Sequence, residues 1–122
     1  MLATTTALLM LINSVRTHPL VKDDTLVALA TEHCTSMANF SHEDFLKTYS
    51  NIISNDLGYK YAGENLAIQF ANPKDMFNAL EASKTHHDNN HSTNYQKVGI
   101  ATCEKAPGVW LSVILFAGYK YK

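Results

Sequence analysis

The sequence predicts an α+β fold, a small antiparallel sheet with helices packed on both of its faces. Three observations predict it. Apolar residues recur at helical spacing in two early stripes, Leu8-Leu11-Ile12-Val15 and Leu26-Ala30-His33-Met37. Near the C-terminus, Val98, Ile100 and Thr102 alternate with Gly99, Ala101 and Cys103 in the manner of a strand. Val109 to Phe116 is then almost unbroken in apolar and β-branched residues. A strand that apolar is covered on both faces, and the helices are the available cover.

The elements follow in order. Residues from about Thr5 to Thr17 form an amphipathic helix with Arg16 near its last carbonyls. His18-Pro19 stops it, because proline disfavours helical geometry in the residue before it. Asp23 or Asp24 caps a second helix that runs to about Asn39. His33 falls on its apolar stripe and reads as a hydrogen-bonded core histidine. Ser41 caps a short helix over Glu43 to Ile53, with His42 at its first position. Asn55-Asp56-Leu57-Gly58 is a turn, and a strand runs from Tyr59 to about Phe70. Asn72, Pro73 and Asp75 mark a strong third helix start, with Met76, Phe77 and Leu80 on its apolar side and Ser83 one turn further. Lys84 to Tyr95 is polar and rich in Asn, and reads as a loop. Ala106-Pro107-Gly108 makes a type II turn between the two terminal strands, which pair as a hairpin.

Composition narrows the function. The chain has 122 residues, which suits one domain over 1–122 and allows about two-thirds of the unfolded surface to be buried. With 46% hydrophobic and 17% charged residues it is not a disordered tail. The net charge is -1 and the lysines are scattered, which disfavours nucleic acid as a partner. No apolar run approaches the roughly 20 residues that span a bilayer. The apolar Leu8 to Ile12 stretch has no basic residue ahead of it and no cleavage site, so it reads as a helix and not a signal peptide. The two cysteines, Cys34 and Cys103, leave either one long-range disulfide or two buried thiols.

The chemistry centres on Gly63-Glu64-Asn65-Leu66-Ala67. A carboxylate at the head of an apolar run needs buried partners. The histidines before and after Glu64, His42 and His86, are the expected ones, with Gly63 lending flexibility beside them. His87 and His91 have the four-residue separation of a helical metal pair. The asparagines between them favour turns, and no glutamate follows His87 as the metalloprotease signature requires.

These pieces together resemble the CAP superfamily, or SCP domain, in its bacterial form. Leu11 to Arg16 is similar to the family's first-helix motif, and Leu26 to Met37 to its second helix. Phe40-Ser41-His42 is similar to the segment bearing the first cleft histidine, Gly63 to Ala67 to the most recognisable motif, and Ser83 to His86 to the segment bearing the second histidine. Val98 to Ala101 and Trp110 to Phe116 resemble the last two strands. The resemblance implies an α-β-α sandwich with a surface cleft holding His42, Glu64 and His86. Ser83 stands where animal members have a second acid, and Leu80 where a tryptophan is usual. It also implies export or a cell-surface location.

Two imidazoles and a carboxylate can hold zinc or another divalent cation with one position open, an ion that folding does not require. Such an ion can activate water. Without it, Glu64 can hold His42 in one tautomer as a base. The expected cleft lining is Ser41, Asn65, Ser83 and His87. Neither serine sits in a Gly-x-Ser-x-Gly elbow, so no nucleophile is assigned. The favoured reading is a binding module for a metal, small ligand, lipid or protein partner, leaning away from an enzyme. The alternatives are a protease-like, metal-assisted hydrolase, with His42, Glu64 and His86 as its catalytic candidates, and a lipid or sterol carrier with Phe45, Leu46, Ile52 and Ile53 along its groove. A network that serves only to specify the fold is the remaining reading.

Overall fold

The structure, a computed structural model, describes residues 2–37, 40–68 and 72–120. Its elements are α1 (Leu2–Ser14), β1 (Val21–Lys22), α2 (Asp24–Ser36), the π-helical stretches π1 (Phe45–Tyr49) and π2 (Ile52–Asp56), β2 (Tyr59–Ile68), α3 (Pro73–Ala82), α4 (Lys84–His91), β3 (Lys97–Ala106) and β4 (Val109–Lys120). The sheet order is β1-β3-β4-β2.

The apolar C-terminal run lies inside the sheet, between β3 and β2. Leu111, Val113, Leu115 and Ala117 of β4 face a layer built from α2 and the π stretches. Ile114 and Phe116 face the opposite layer, built from α1 and α3. All six are fully buried. Period-two alternation thus sends one strand into two cores, and the fold is an α-β-α sandwich. The three long strands pair antiparallel. β1 is a two-residue strand parallel to β3, so the sheet is mixed where the sequence predicts a purely antiparallel one. Two residues carry no periodicity to read. Backbone bonds from Val21 N to Gln96 O and from Asp23 N to Val98 O hold them.

The predicted caps form. Asp23 Oδ1 accepts from Leu26 N at 3.0 Å, and Asn72 Oδ1 accepts from Lys74 N at 2.8 Å. α1 stops at Ser14, short of Thr17, where Asn13 turns its side chain onto both backbone groups of Leu20. α2 stops at Ser36; its expected end, Asn39, lies outside the described residues, as do Gln69 and Phe70 at the expected end of β2. Gly108 adopts φ +76°, the third-position geometry of the predicted type II turn. The segment after His42 is helical over 43–56, three residues beyond the predicted end. Its i→i+5 bonds, Ser50 N to Phe45 O and Leu57 N to Ile52 O, widen the turn. The wide turn keeps Phe45, Tyr49 and Ile53, four residues apart, on one buried face. Cys34 of α2 is bonded to Cys103 of β3, and the alternative of free thiols falls.

The largest departure is residues 84–91. They form helix α4 and not the predicted loop. Their polarity is answered by tertiary partners. Asn89 donates to Glu64 O and Asn65 Oδ1, and Asn90 accepts from Asn65 at 3.0 Å. Lys84 and Asp88 pair one turn apart at 2.8 Å. Arg16 was expected on its own helix's carbonyls. It reaches instead to Asn90 O and Ser92 O, both at 2.8 Å, and to Tyr95 O at 2.9 Å, capping the end of α4.

Gly99 sets the spacing between α2 and the sheet. A Cβ there would overlap the Leu26–Val27 peptide, which is backbone and cannot swing aside. Gly99→Ala is therefore expected to cost about 1–3 kcal/mol through overpacking. A urea midpoint equal to that of the parent would refute this close approach.

Candidate functional site

β2 is an edge strand, and its alternation divides its chemistry between two faces. Glu64 and Leu66 point toward α2 and the π stretches, whereas Asn65 and Ala67 point toward the α1, α3 and α4 side. The two helical layers meet around this edge, and there the site assembles.

Glu64 is only 5% exposed, and both its oxygens are engaged. Oε1 lies 2.7 Å from His42 Nδ1, and Oε2 lies 2.6 Å from His33 Nε2. A buried carboxylate between two imidazoles exchanges its lost hydration for charge-assisted contacts. His33 is fully buried, its ring centroid 4.4 Å from that of Tyr49. Among the described residues neither of its ring nitrogens has a well-aligned hydrogen bond, and Nε2 meets Glu64 as a close polar contact. His42 arrives at the head of the π segment and is about half exposed. His86 comes from α4, and its ring centroid is 6.4 Å from that of His42. Burial, and then the facing charge of His42, pull the His86 imidazole below its ordinary pKa. The neutral ring, the form that coordinates metals, is thereby favoured.

The predicted residues thus divide. His42, Glu64 and His86 lie together, but Glu64 contacts His33 where the sequence reading places His86. His33 is the site residue that reading missed, although it had stood out as an ionisable group on an apolar stripe. Asn65 is fully buried and holds α4, donating to His86 O at 3.1 Å. Ser41 is exposed and accepts from Glu43 N at 3.4 Å. Ser83 is the junction between α3 and α4, and not a continuation of the apolar side of α3. Ser83 O accepts from His87 N at 2.8 Å, but among the described residues neither serine hydroxyl bonds to a histidine ring. His87 stacks on His91, with ring centroids 3.9 Å apart. Gly63 is paired with Phe116 inside β2, and a Cβ there would overlap the Tyr95 hydroxyl.

A hollow of about 300 Å³ opens beside the site, lined by His42, Phe45, Leu46 and Glu64. Of the four expected groove residues, Phe45 and Ile53 are buried and Ile52 packs against the core, while Leu46 is 67% exposed. Among the described residues, the His/Glu group whose donor atoms all gather within 4.8 Å is Glu81, His87 and His91. His42, Glu64 and His86 do not gather so closely.

Fold and site define an α-β-α sandwich whose sheet edge carries an imidazole–carboxylate cleft. Residues 12–115 match the model of the CAP family, the cysteine-rich secretory protein family, and the chain belongs to it. No curated protein matches the chain by sequence. Among solved structures, an outer surface protein from Borrelia burgdorferi is similar at 24% identity with a TM-score of 0.84, over 97% of this chain and 94% of that one. An extracellular SCP-domain protein from Bacillus anthracis is similar at 21% identity and a TM-score of 0.80, over 96% of this chain and 41% of that one. A cysteine-rich secretory protein from Staphylococcus aureus is similar at 18% identity and a TM-score of 0.77, over 96% and 38%. The chain spans about two-fifths of the last two, and all three likenesses are likenesses of fold.

Proposed function

We propose that the chain is a binding module and not an enzyme, and that His42, Glu64 and His86 form its ligand site. The observation that carries this is the 2.7 Å contact between Glu64 Oε1 and His42 Nδ1. A carboxylate on Nδ1 fixes the tautomer and leaves Nε2 for a ligand, the arrangement that supports metal-bound imidazoles. In that arrangement His42 Nε2 and the His86 imidazole would hold zinc or another divalent transition metal, with Glu64 orienting His42 from behind. Bound there, the ion would supply Lewis acidity. Leu46 and the adjoining hollow favour a small ligand with an apolar part beside the imidazoles. No serine hydroxyl adjoins the histidines among the described residues, so a hydrolase would rest on water activated by a bound ion alone.

The test is zinc titrated into metal-free protein, followed through the histidine ring resonances. The His42 and His86 signals are expected to move together, and His42→Ala to abolish the response of His86. If neither ring responds, the metal reading of the cleft is lost.

We further infer that the chain works outside the reducing cytoplasm, secreted or at a surface. The Cys34–Cys103 bond and the outer-surface, extracellular and secretory descriptions of the similar structures support this.

A further inference from the structure

α3 and α4 share Ser83 as their junction, so the last turn of one lies against the flank of the other. Glu81 is in the last turn of α3. His87 and His91, four residues apart on α4, lie on one helical face. Their rings stack at 3.9 Å and 17°, and His91 Nε2 is 2.7 Å from Glu81 Oε1. One donor atom from each of the three falls within 4.8 Å of the other two, and all three residues are half-buried. His86 adjoins His87 in sequence, but α4 turns it toward His42.

We propose that Glu81, His87 and His91 form a second site for a divalent transition metal, separate from the His42–Glu64–His86 cleft. Two imidazoles and one carboxylate are a zinc donor set that leaves a fourth position open. Imidazole-rich donors favour zinc, copper or nickel over calcium and magnesium. Nitrogen and oxygen donors on a tetrahedral zinc stand about 3.4 Å apart, given bonds of about 2.0–2.1 Å. Side-chain adjustments of about 1 Å therefore close the group.

The supporting contacts are already in place. Asn90 Nδ2 donates to Glu81 Oε2 at 3.2 Å, which orients the carboxylate with Oε1 toward His91. Asp88 Oδ1 stands 3.6 Å from His87 Nδ1, on the flank from which a carboxylate orients a metal-bound imidazole. The backbone beneath is held by Arg16 on Asn90 O and Ser92 O. The asparagines that make this segment look like a loop are thus what fixes the two histidines at helical spacing.

The experiment is calorimetric titration of metal-free protein with zinc chloride alone. Parent, Glu81→Gln, His87→Ala, His91→Ala and the His42→Ala/His86→Ala double variant are compared. Each of the first three variants is expected to weaken the binding of one zinc ion per chain tenfold or more. The double variant is expected to retain that ion. His87 is the most exposed of the three, so His87→Ala keeps the test decisive should His91→Ala loosen α4. Equal isotherms for parent and His87→Ala overturn the proposal. Failure of the cleft reading is a different result, in which the double variant matches the parent while His87→Ala does not.

Discussion

Replacing Glu64 with alanine is expected to destabilise the folded chain by about 3–5 kcal/mol, from a buried polar group losing its partner and from the void the side chain leaves. The reason lies in His33 more than in His42. His42 is half exposed, and water can replace the contact it loses. His33 is fully buried, neither ring nitrogen has a well-aligned hydrogen bond among the described residues, and its one close polar contact is Glu64. Removal of the carboxylate takes away the 2.6 Å partner of Nε2 and leaves a void beside the two rings. Glu64→Gln retains the shape and one acceptor oxygen, so it should cost clearly less than alanine while still disturbing one of the two histidines. Urea unfolding of parent, alanine and glutamine variants measures the series. An alanine variant within about 1 kcal/mol of the parent would mean that Glu64 is not the strut between α2 and β2. Ligand binding would then be the only reason to bury it.

That result would also show why the site was only partly legible. Glu64 announces itself because an acid heading an apolar run must have partners. Which partners it takes depends on which face of β2 it occupies, and local spacing does not say. The sequence pairs it with His42 and His86, and places His33 in the core as a hydrogen-bonded histidine. In the structure those are one observation: the close polar partner of the core histidine is Glu64 itself, 2.6 Å from its Nε2. His42 carries no periodic signal, and what points to it is its place ahead of Glu64 in the chain together with the family resemblance.

The fold follows the same division. Elements with an apolar face, such as α2, α3, β3 and β4, are readable because periodicity records which side is buried. α4 has no such face. Only Asn90 among its residues is buried. Its helix rests on amide contacts to β2 and α3 and on the Arg16 cap, which come from positions far apart in the chain. Intrinsic preference for Lys84 to His91 favours a turn-rich segment, and tertiary contacts override it. The His87–His91 spacing was visible in the sequence, but it acquires meaning only once this helix is known to exist.

Removing the disulfide is expected to have an effect of similar size. Cys34 and Cys103 are separated by 69 positions and join α2 to β3 across one layer of the sandwich. Closing a loop of that length restricts the unfolded chain by about 4 kcal/mol at room temperature in the chain-entropy treatment. The ordinary stability of a chain this long is roughly 6–18 kcal/mol, so the cross-link is a large share of it. The enclosed loop contains His42, Glu64 and His86, with His33 just outside it, so the link also restrains the segments that meet at the edge of β2. The apolar contacts of α2 with β3 and β4 remain without the bond, and the Cys34→Ala/Cys103→Ala variant should still fold. Its urea midpoint should drop by an amount equivalent to about 2–5 kcal/mol. Addition of reductant to the parent should reproduce the drop and leave the variant unaffected. Reduced and oxidised parent unfolding at the same urea concentration would show that the link does not constrain the unfolded chain, and would remove the stability argument for an oxidising compartment.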